Sequence, residues 1–211
     1  NGQILQSAGD LYITNSADDK DIIFQCDDGS GGVETYFFLD GSISAGNPIT
    51  VFPDNSFAAW GTGYDLMINH DGTVSQILNQ NGNLEIKNTA DDGDIIFKSD
   101  DGSGGETAYL TLDGGITKTV FSRDTKHSDS KKALFGDQDD LQIYHDGSDS
   151  YIKDAGTGNL KVMANNLYLQ NATYGEPYIN CYSDDRVEIF HNNVKKFETT
   201  SAGITVTGGW V

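Results

Sequence analysis

Two stretches of the sequence, Gly9–Ser42 and Gly82–Gly115, decide the fold class because they are copies of each other. The first stretch reads GDLYITNSADDKDIIFQCDDGSGGVETYFFLDGS, and the second reads GNLEIKNTADDGDIIFKSDDGSGGETAYLTLDGG. They align without gaps from Gly9 over Gly82 to Ser42 over Gly115, with 21 of 34 positions identical. Identity of this extent within one chain identifies an internal repeat, and the repeat has to organise the interpretation of every other feature.

Other matching segments extend the repeat along the chain. Trp60–Gly72 matches Phe135–Gly147 without gaps, and Gly82–Ile86 returns as Gly158–Val162. We therefore predict three units of roughly 75 residues. They are residues 1–60 (a partial first unit), residues 61–135 (a second unit) and residues 136–211 (a third unit with a more divergent C-terminal section). Because Gln3 already lies in mid-unit, matching Gln76, we expect the chain to be a piece of a longer protein.

The composition favours β-structure with many turns. The 211 residues include 25 Gly and 26 Asp but only 6 Glu, and 36% are hydrophobic. Gly and Asp are turn formers, whereas Glu is the carboxylate that helices prefer. Short alternating segments bounded by turn residues predict strands. The predicted strands are Leu11–Thr14, Ile22–Gln25, Thr35–Leu39, Leu66–Asn69, Leu84–Lys87, Ile95–Lys98, Ala108–Leu112, Leu141–Tyr144, Leu160–Met163, Leu167–Gln170, Tyr178–Tyr182, Arg186–Phe190, Lys195–Thr199 and Ile204–Thr207.

Each predicted strand has one narrow apolar face, so a single unit holds little core of its own. Unpaired edges of long β-structures also aggregate unless they are covered. We therefore predict an all-β, elongated and repetitive fibre, built as an intertwined or stacked homotrimeric β-helix or β-prism. The alternative is a single-chain β-solenoid, in which each repeat unit would form several coils.

The charge excludes some partners. The formal net charge is −19, which disfavours contact with nucleic-acid phosphates and with anionic membrane surfaces. No apolar run approaches the length of a membrane-spanning helix, so we expect neither nucleic-acid binding nor membrane insertion.

Two segments resemble a known family. The stretch Asp140–Leu160, DLQIYHDGSDSYIKDAGTGNL, and the stretch Val187–Gly208, VEIFHNNVKKFETTSAGITVTG, resemble a repeat of tail-fibre proteins of tailed bacteriophages, especially marine ones. The resemblance covers most of the third unit, and Asp65–Gly72 repeats part of it in the second unit. The Asp-Asp-Gly-Ser-Gly-Gly sections are similar to the same proteins.

The resemblance implies a function and a location. It implies an extracellular, virion-attached β-fibre, homotrimeric, that contributes to host attachment without catalysis. Its implied partners are its own copies, other fibre or baseplate proteins, and a host surface receptor, including a glycan. Two alternatives stay open: a β-helical tailspike that degrades surface polysaccharide, and a bacterial adhesin or extracellular filament.

Two His-Asp-Gly motifs invite a catalytic interpretation. His70 and Asp71, like His145 and Asp146, are neighbours, and neighbouring residues of a strand point to opposite faces. The Asp-Gly pair is instead a strong hairpin-turn signal. We therefore predict turns at both motifs and no catalytic residue in the chain.

Repeated carboxylates are candidates for a Ca²⁺ site, because Ca²⁺ prefers oxygen ligands. No EF-hand spacing accompanies them, so solvated turns are the main expectation and Ca²⁺ the alternative; no other cofactor is expected. The candidate ligands are Asp18, Asp19, Asp21, Asp91, Asp92 and Asp94.

Aromatic residues are candidates for recognition or for packing between chains. Trp60 and Phe135 occupy matching positions before a Gly, and the others lie in the least repetitive section. The full set is Trp60, Phe135, Tyr174, Tyr178, Tyr182 and Trp210. Cys26 aligns with Ser99, which predicts a small side chain near the core, and no bridge is expected between Cys26 and Cys181 within one chain.

Overall fold

The computed structural model describes residues 2–43 and 47–208, and no helix occurs among them. The all-β fold class is confirmed. The strands are β1 (Gly2–Ser7), β2 (Asp10–Asn15), β3 (Ile22–Asp27), β4 (Val33–Asp40), β5 (Ile49–Val51), β6 (Ala58–Trp60), β7 (Leu66–His70), β8 (Ser75–Asn79), β9 (Ile95–Asp100), β10 (Glu106–Asp113), β11 (Lys118–Phe121), β12 (Ala133–Phe135), β13 (Leu141–His145), β14 (Ser150–Asp154), β15 (Asn166–Gln170), β16 (Pro177–Tyr182), β17 (Val187–His191), β18 (Val194–Thr200) and β19 (Gly203–Val206).

The strands form small sheets whose neighbours are consecutive in sequence. The pair β1–β2 is a hairpin closed by Ala8 and Gly9, both in the left-handed region, at φ 51° and 94°. Four three-stranded sheets follow the orders β3-β4-β5, β6-β7-β8, β9-β10-β11 and β12-β13-β14. The last sheet has five strands in the order β15-β16-β17-β18-β19. Consecutive pairing keeps loops short, as expected from a chain rich in Gly and Asp turns.

The first two copies of the repeat share their local backbone over β3–β4 and β9–β10. All four strand ends coincide when Gly9 is aligned with Gly82. Both pairs carry a β-bulge at the same position, Tyr36 in one and Tyr109 in the other. The Tyr36 and Tyr109 hydroxyls donate to the carbonyl oxygens of Asp27 and Asp100 at 3.2 and 2.9 Å. The two copies therefore have equivalent backbones over this part of the repeat.

Two predicted strands are not strands in the single chain, and several short strands were missed. Leu84–Lys87 and Leu160–Met163 alternate like β2 but have no strand partner within the described residues. Alternation of apolar and polar residues indicates that a segment can form a strand. It does not indicate whether the edge of another strand is free to pair with that segment. The missed strands are β1, β5, β6, β8, β11, β12 and β14, which are short or interrupted by polar residues.

The chain divides into two compact units, Asn1–Val120 and Phe121–Val211. Within each unit, the strands that contact one another substantially are members of the same sheet. No hydrophobic side chain is buried in the described part of the chain. The sheets thus have apolar faces without a core, whereas domains ordinarily bury such faces against a second layer. The three repeat units remain a prediction from the sequence.

Candidate functional site

One face of the sheet β6–β8 is repeated almost unchanged in the sheet β12–β14. Residues directly opposite in antiparallel strands share a face, and the register places Ile68 opposite both Ala58 and Ile77. The equivalent register in the third unit places Ile143 opposite Ala133 and Ile152. We call this surface the repeated face. It comprises Ala58, Trp60, Leu66, Ile68, His70, Ser75, Ile77 and Asn79 in one sheet and Ala133, Phe135, Leu141, Ile143, His145, Ser150, Ile152 and Asp154 in the other.

The opposite face of the same two sheets is not repeated. Its five positions change completely between the sheets when Trp60 is aligned with Phe135. The changes are Ala59 to Leu134, Met67 to Gln142, Asn69 to Tyr144, Gln76 to Tyr151 and Leu78 to Lys153. On the repeated face, six of eight positions are identical and the other two pairs, Trp60/Phe135 and Asn79/Asp154, are similar. One face is therefore nearly the same in the two sheets, while the other face differs at every position.

The repeated face is apolar and open. Trp60, Ile68 and Ile77 lie exposed on it, as do Phe135 and Ile143 in the second sheet. In β6–β8 it borders a groove of about 620 Å³ whose wall includes Phe52. Contiguous exposed apolar surface is typical of interaction sites, so this face is the candidate site of the chain.

The end of the repeated face carries a His–Ser pair in each sheet. His70 Nδ1 lies 3.0 Å from Ser75 Oγ, and His145 Nδ1 lies 3.2 Å from Ser150 Oγ. The Oδ1 atoms of the neighbouring Asp71 and Asp146 accept backbone N–H groups of the turns. Each His–Ser pair joins the end residues of two neighbouring strands, β7 and β8 in one sheet and β13 and β14 in the other.

Both His-Asp-Gly motifs form the predicted hairpin turns. Asp71 Oδ1 accepts the N–H groups of Thr73 and Val74 at 2.9 and 2.8 Å, and these bonds lower the pKa of Asp71. Asp146 Oδ1 accepts the N–H groups of Ser148 and Asp149, both at 2.8 Å. These two bonds, with the Tyr151 hydroxyl on Oδ2, lower the pKa of Asp146. Both carboxylates thus stabilise the turns by hydrogen bonding to their backbone.

The Asp-Asp-Gly-Ser-Gly-Gly sections are also turns held by a carboxylate. Asp28 Oδ1 accepts the N–H groups of Ser30 and Gly32 at 2.7 and 3.0 Å. Asp101 Oδ1 binds Ser103 and Gly105 in the same way. Hydrogen bonding to the charged form lowers the pKa of both carboxyl groups.

The six Ca²⁺ candidates lie at matching places, and the structure gives several of them backbone roles. Asp21 Oδ1 and Asp94 Oδ1 accept the N–H groups of Gly41 and Gly114, each at 3.0 Å. Asp19 and Asp92 occupy the left-handed region at φ 55°. Asp18 and Asp91 are exposed beside them. Across residues 2–43 and 47–208, no three His, Cys, Asp or Glu side chains are grouped so as to hold a metal ion.

The five-stranded sheet contains an ionic cluster that the sequence analysis missed. Glu188 on β17 is only 6% exposed, and Arg186 Nε lies 2.8 Å and Lys195 Nζ 3.2 Å from its Oε1. The Tyr182 hydroxyl lies 3.3 Å from Oε2, and Lys195 also pairs with Glu198. The hydrogen bond from Arg186 is the main cause of the lowered pKa of Glu188. The sequence carries opposite charges on the two neighbouring strands, Glu188 on β17 and Lys195 on β18, and the register of the pair brings them within reach of each other.

The predicted aromatic candidates fall into different environments. Trp60 lies on the repeated face of β6–β8, opposite Leu66. Phe135 has the equivalent place on the repeated face of β12–β14, opposite Leu141. Tyr182 packs within its own sheet, edge-on to Tyr168 at 5.8 Å and under Arg186 at 4.7 Å. Tyr174 and Tyr178 are exposed. Trp210 lies outside the described residues.

The two cysteines are free thiols. Cys26 is exposed on β3, so the predicted place near a core is wrong, since no core covers this strand. Cys181 is half-buried on β16.

No family model, no curated protein and no solved structure matches the chain. None of the described residues belongs to a helix long and apolar enough to cross a membrane.

Proposed function

We propose that this chain is a segment of the shaft of a virion fibre. Copies of the chain assemble as a homotrimer outside the cell, the fibre contributes to host attachment, and the segment catalyses no reaction. The proposal combines the tail-fibre resemblance of Asp140–Leu160 and Val187–Gly208 with the chemistry of the sheets.

The observation that carries the proposal is the exposure of the repeated face. Trp60, Ile68 and Ile77 are exposed in the single chain, and so are their equivalents Phe135, Ile143 and Ile152. Leaving a large apolar side chain in water rather than burying it forgoes about 1.5–3 kcal/mol. A partner that carries the same face supplies the missing layer, and a copy of the chain supplies it at both sheets.

The distribution of charge fits a rod of several copies. Three copies carry a formal charge of −57, three times −19. The carboxylates of Asp28, Asp71, Asp101 and Asp146 lie in turns at strand ends, while the β6–β8 part of the repeated face carries no carboxylate. Apolar faces can therefore meet while the like charges stay in water.

Further partners of such a shaft are other fibre or baseplate proteins and a host surface receptor, including a glycan. Tyr174 and Tyr178 are exposed aromatic residues in the least repetitive section, and they offer contacts to a receptor. Nucleic acid is not a partner, because its phosphates and this chain repel each other.

Electron microscopy of tailed phage particles labelled with an antibody against this chain tests the proposal. Label along thin fibres at the tail is expected, together with reduced adsorption when antibody fragments are added. Label on a bacterial surface filament instead would overturn the fibre assignment. An assay on purified host capsule, with release of oligosaccharide by the chain, would overturn the absence of catalysis and favour the tailspike.

A further inference from the structure

The same repeat segment is paired in the first unit and unpaired in the later ones. In the first unit, Leu11–Thr14 lies within β2 and pairs with β1. Its copy in the second unit, Leu84–Lys87, belongs to no strand, and neither does Leu160–Met163 in the third. No backbone–backbone hydrogen bond is formed by these two copies within the described residues. Their residues nevertheless alternate as strand residues do.

The reason is that another strand occupies their place. Strand β1 corresponds to β8, and Ile4 to Ile77. Ile4 pairs with Ile13 of β2, whereas Ile77 pairs with Ile68 of β7. Strand β7 therefore pairs with β8 in the register that β2 adopts on β1.

The edge is the same as well as the register. The N–H of Gln80 donates to the carbonyl oxygen of Asp65 at 2.7 Å. The corresponding pair in the first unit, Ser7 and Asp10, flanks the two-residue turn and is therefore a hydrogen-bonded pair. Since hydrogen bonding alternates between the two edges along a strand, β2 and β7 occupy equivalent edges. The sequence Asp10–Asn15, DLYITN, accordingly resembles Asp65–His70, DLMINH.

The displaced segments are exposed and free of net negative charge. Ile86 is 59% and Val162 is 65% exposed. The only charges in Leu84–Lys87 are Glu85 and Lys87, which pair with each other. Residues 155–175 contain no carboxylate and one lysine, in a chain with 32 Asp and Glu. At these two segments, acidic copies of the chain can approach each other without repulsion.

We propose that Leu84–Lys87 and Leu160–Met163 are strands whose partner is a second copy of this chain. Strand β2 shows that this segment of the repeat forms a strand when the edge of the preceding strand is free. In the later units that edge is already paired, with β7 on β8 and with β13 on β14. A second copy offers a segment of the same chemistry to each of the two, because it carries both of them. The backbone groups and the exposed Leu, Ile and Val side chains become paired together, as in β-strand addition. This inference rests on the assembly of copies proposed above.

The test combines sedimentation with amide exchange on the full chain. In the assembled wild type, the amides of residues 84–87 and 160–163 should exchange as slowly as those of β7 and β13. The double variant Ile86→Asp, Val162→Asp should associate about a hundredfold more weakly, since each copy places two new charges in the interface. The matched control is Ile116→Asp, Leu134→Asp, which introduces the same number of charges outside both segments and outside the repeated face, at positions 54% and 46% exposed, and should associate like the wild type.

The outcomes separate the two proposals. A trimer with fast exchange at both segments, or a trimer that tolerates the double variant, overturns the strand pairing and leaves the assembly in place. Equal loss of association in the control also overturns it, because the effect would then not be specific to these segments. A folded wild-type monomer overturns both proposals.

Discussion

The two faces of the sheets β6–β8 and β12–β14 differ in how far their residues recur from one sheet to the other. On one face, Ala58, Leu66, Ile68, His70, Ser75 and Ile77 all recur unchanged in the second sheet, and on the other face no residue recurs. Both faces belong to the same strands, so strand propensity and turn chemistry cannot explain the difference. A packing partner on the repeated face explains it, because close packing constrains size and shape whereas solvent does not. The difference between the two faces supports the proposal that the repeated face, which occurs in both sheets, is the surface through which copies of the chain assemble.

The largest effect is expected from adding a charge to the repeated face. Phe135 and Leu134 are neighbours on β12 with similar exposure, 51% and 46%, and they point to opposite faces. Phe135→Asp should weaken association at least a hundredfold, because burying Phe contributes about 2 kcal/mol per copy and the carboxylate would need to be desolvated. Leu134→Asp should leave association unchanged. Sedimentation velocity of both variants over a concentration series measures this difference.

A reversed order of the two variants would contradict the assignment of the interface. If Leu134→Asp dissociates the assembly and Phe135→Asp does not, the variable face is the one that is covered. Equal effects would indicate that both faces are buried.

A smaller effect is expected from the turns that hold the two sheets. Asp71→Ala with Asp146→Ala removes the carboxylates that accept two N–H groups each, and should lower the Tm at pH 7 by about 5 °C. The control, Asp91→Ala with Asp137→Ala, makes the same change of charge outside these turns and should have little effect. No enzymatic activity should change in either variant.

The pH dependence of this effect has a definite sign. The pKa values of Asp71 and Asp146 lie below the ordinary value of 3.8, so their stabilisation is complete above pH 3.8 and is lost as the pH falls through the lowered values. The difference in Tm between wild type and the double variant should therefore stay constant from pH 7 to about pH 4 and shrink below that. Thermal melts at several pH values measure it, and a difference that grows with acidification would refute the role of the carboxylates.

The smallest effect is expected in the five-stranded sheet, where the ionic cluster stabilises one chain internally. Glu188→Gln should lower the Tm by about 3 °C without changing the assembled mass, because Arg186 and Lys195 lose their shared carboxylate. Glu106→Gln, at the exposed pair with Lys98, is the control and should change the Tm by less than about 1 °C. A change of assembled mass in Glu188→Gln would show that this sheet also belongs to the interface.

The sequence predicts the fold class and the turns because both depend on local signals. Asp-Gly pairs and alternating apolar residues define β7, β13 and their hairpins directly. The repeat also predicted that Trp60 and Phe135 occupy equivalent places. The prediction of a strand at Leu84–Lys87 does not hold in the single chain, because a strand needs a free edge to pair with. The edge of β8 that corresponds to the one β2 uses on β1 is occupied by β7. Glu188 was missed because its partner Lys195 comes from the neighbouring strand, and only the register brings them together.

The central claim is that copies of this chain bury the repeated face against each other, and the mass in solution tests it most directly. Sedimentation equilibrium at neutral pH and micromolar concentration should give three times the chain mass of 22.8 kDa, about 68 kDa. Loss of that mass should coincide with loss of β-structure, because the described part of a single chain buries no hydrophobic side chain and folding is then coupled to association. A stable, folded species with the mass of one chain would contradict the account and favour the single-chain β-solenoid.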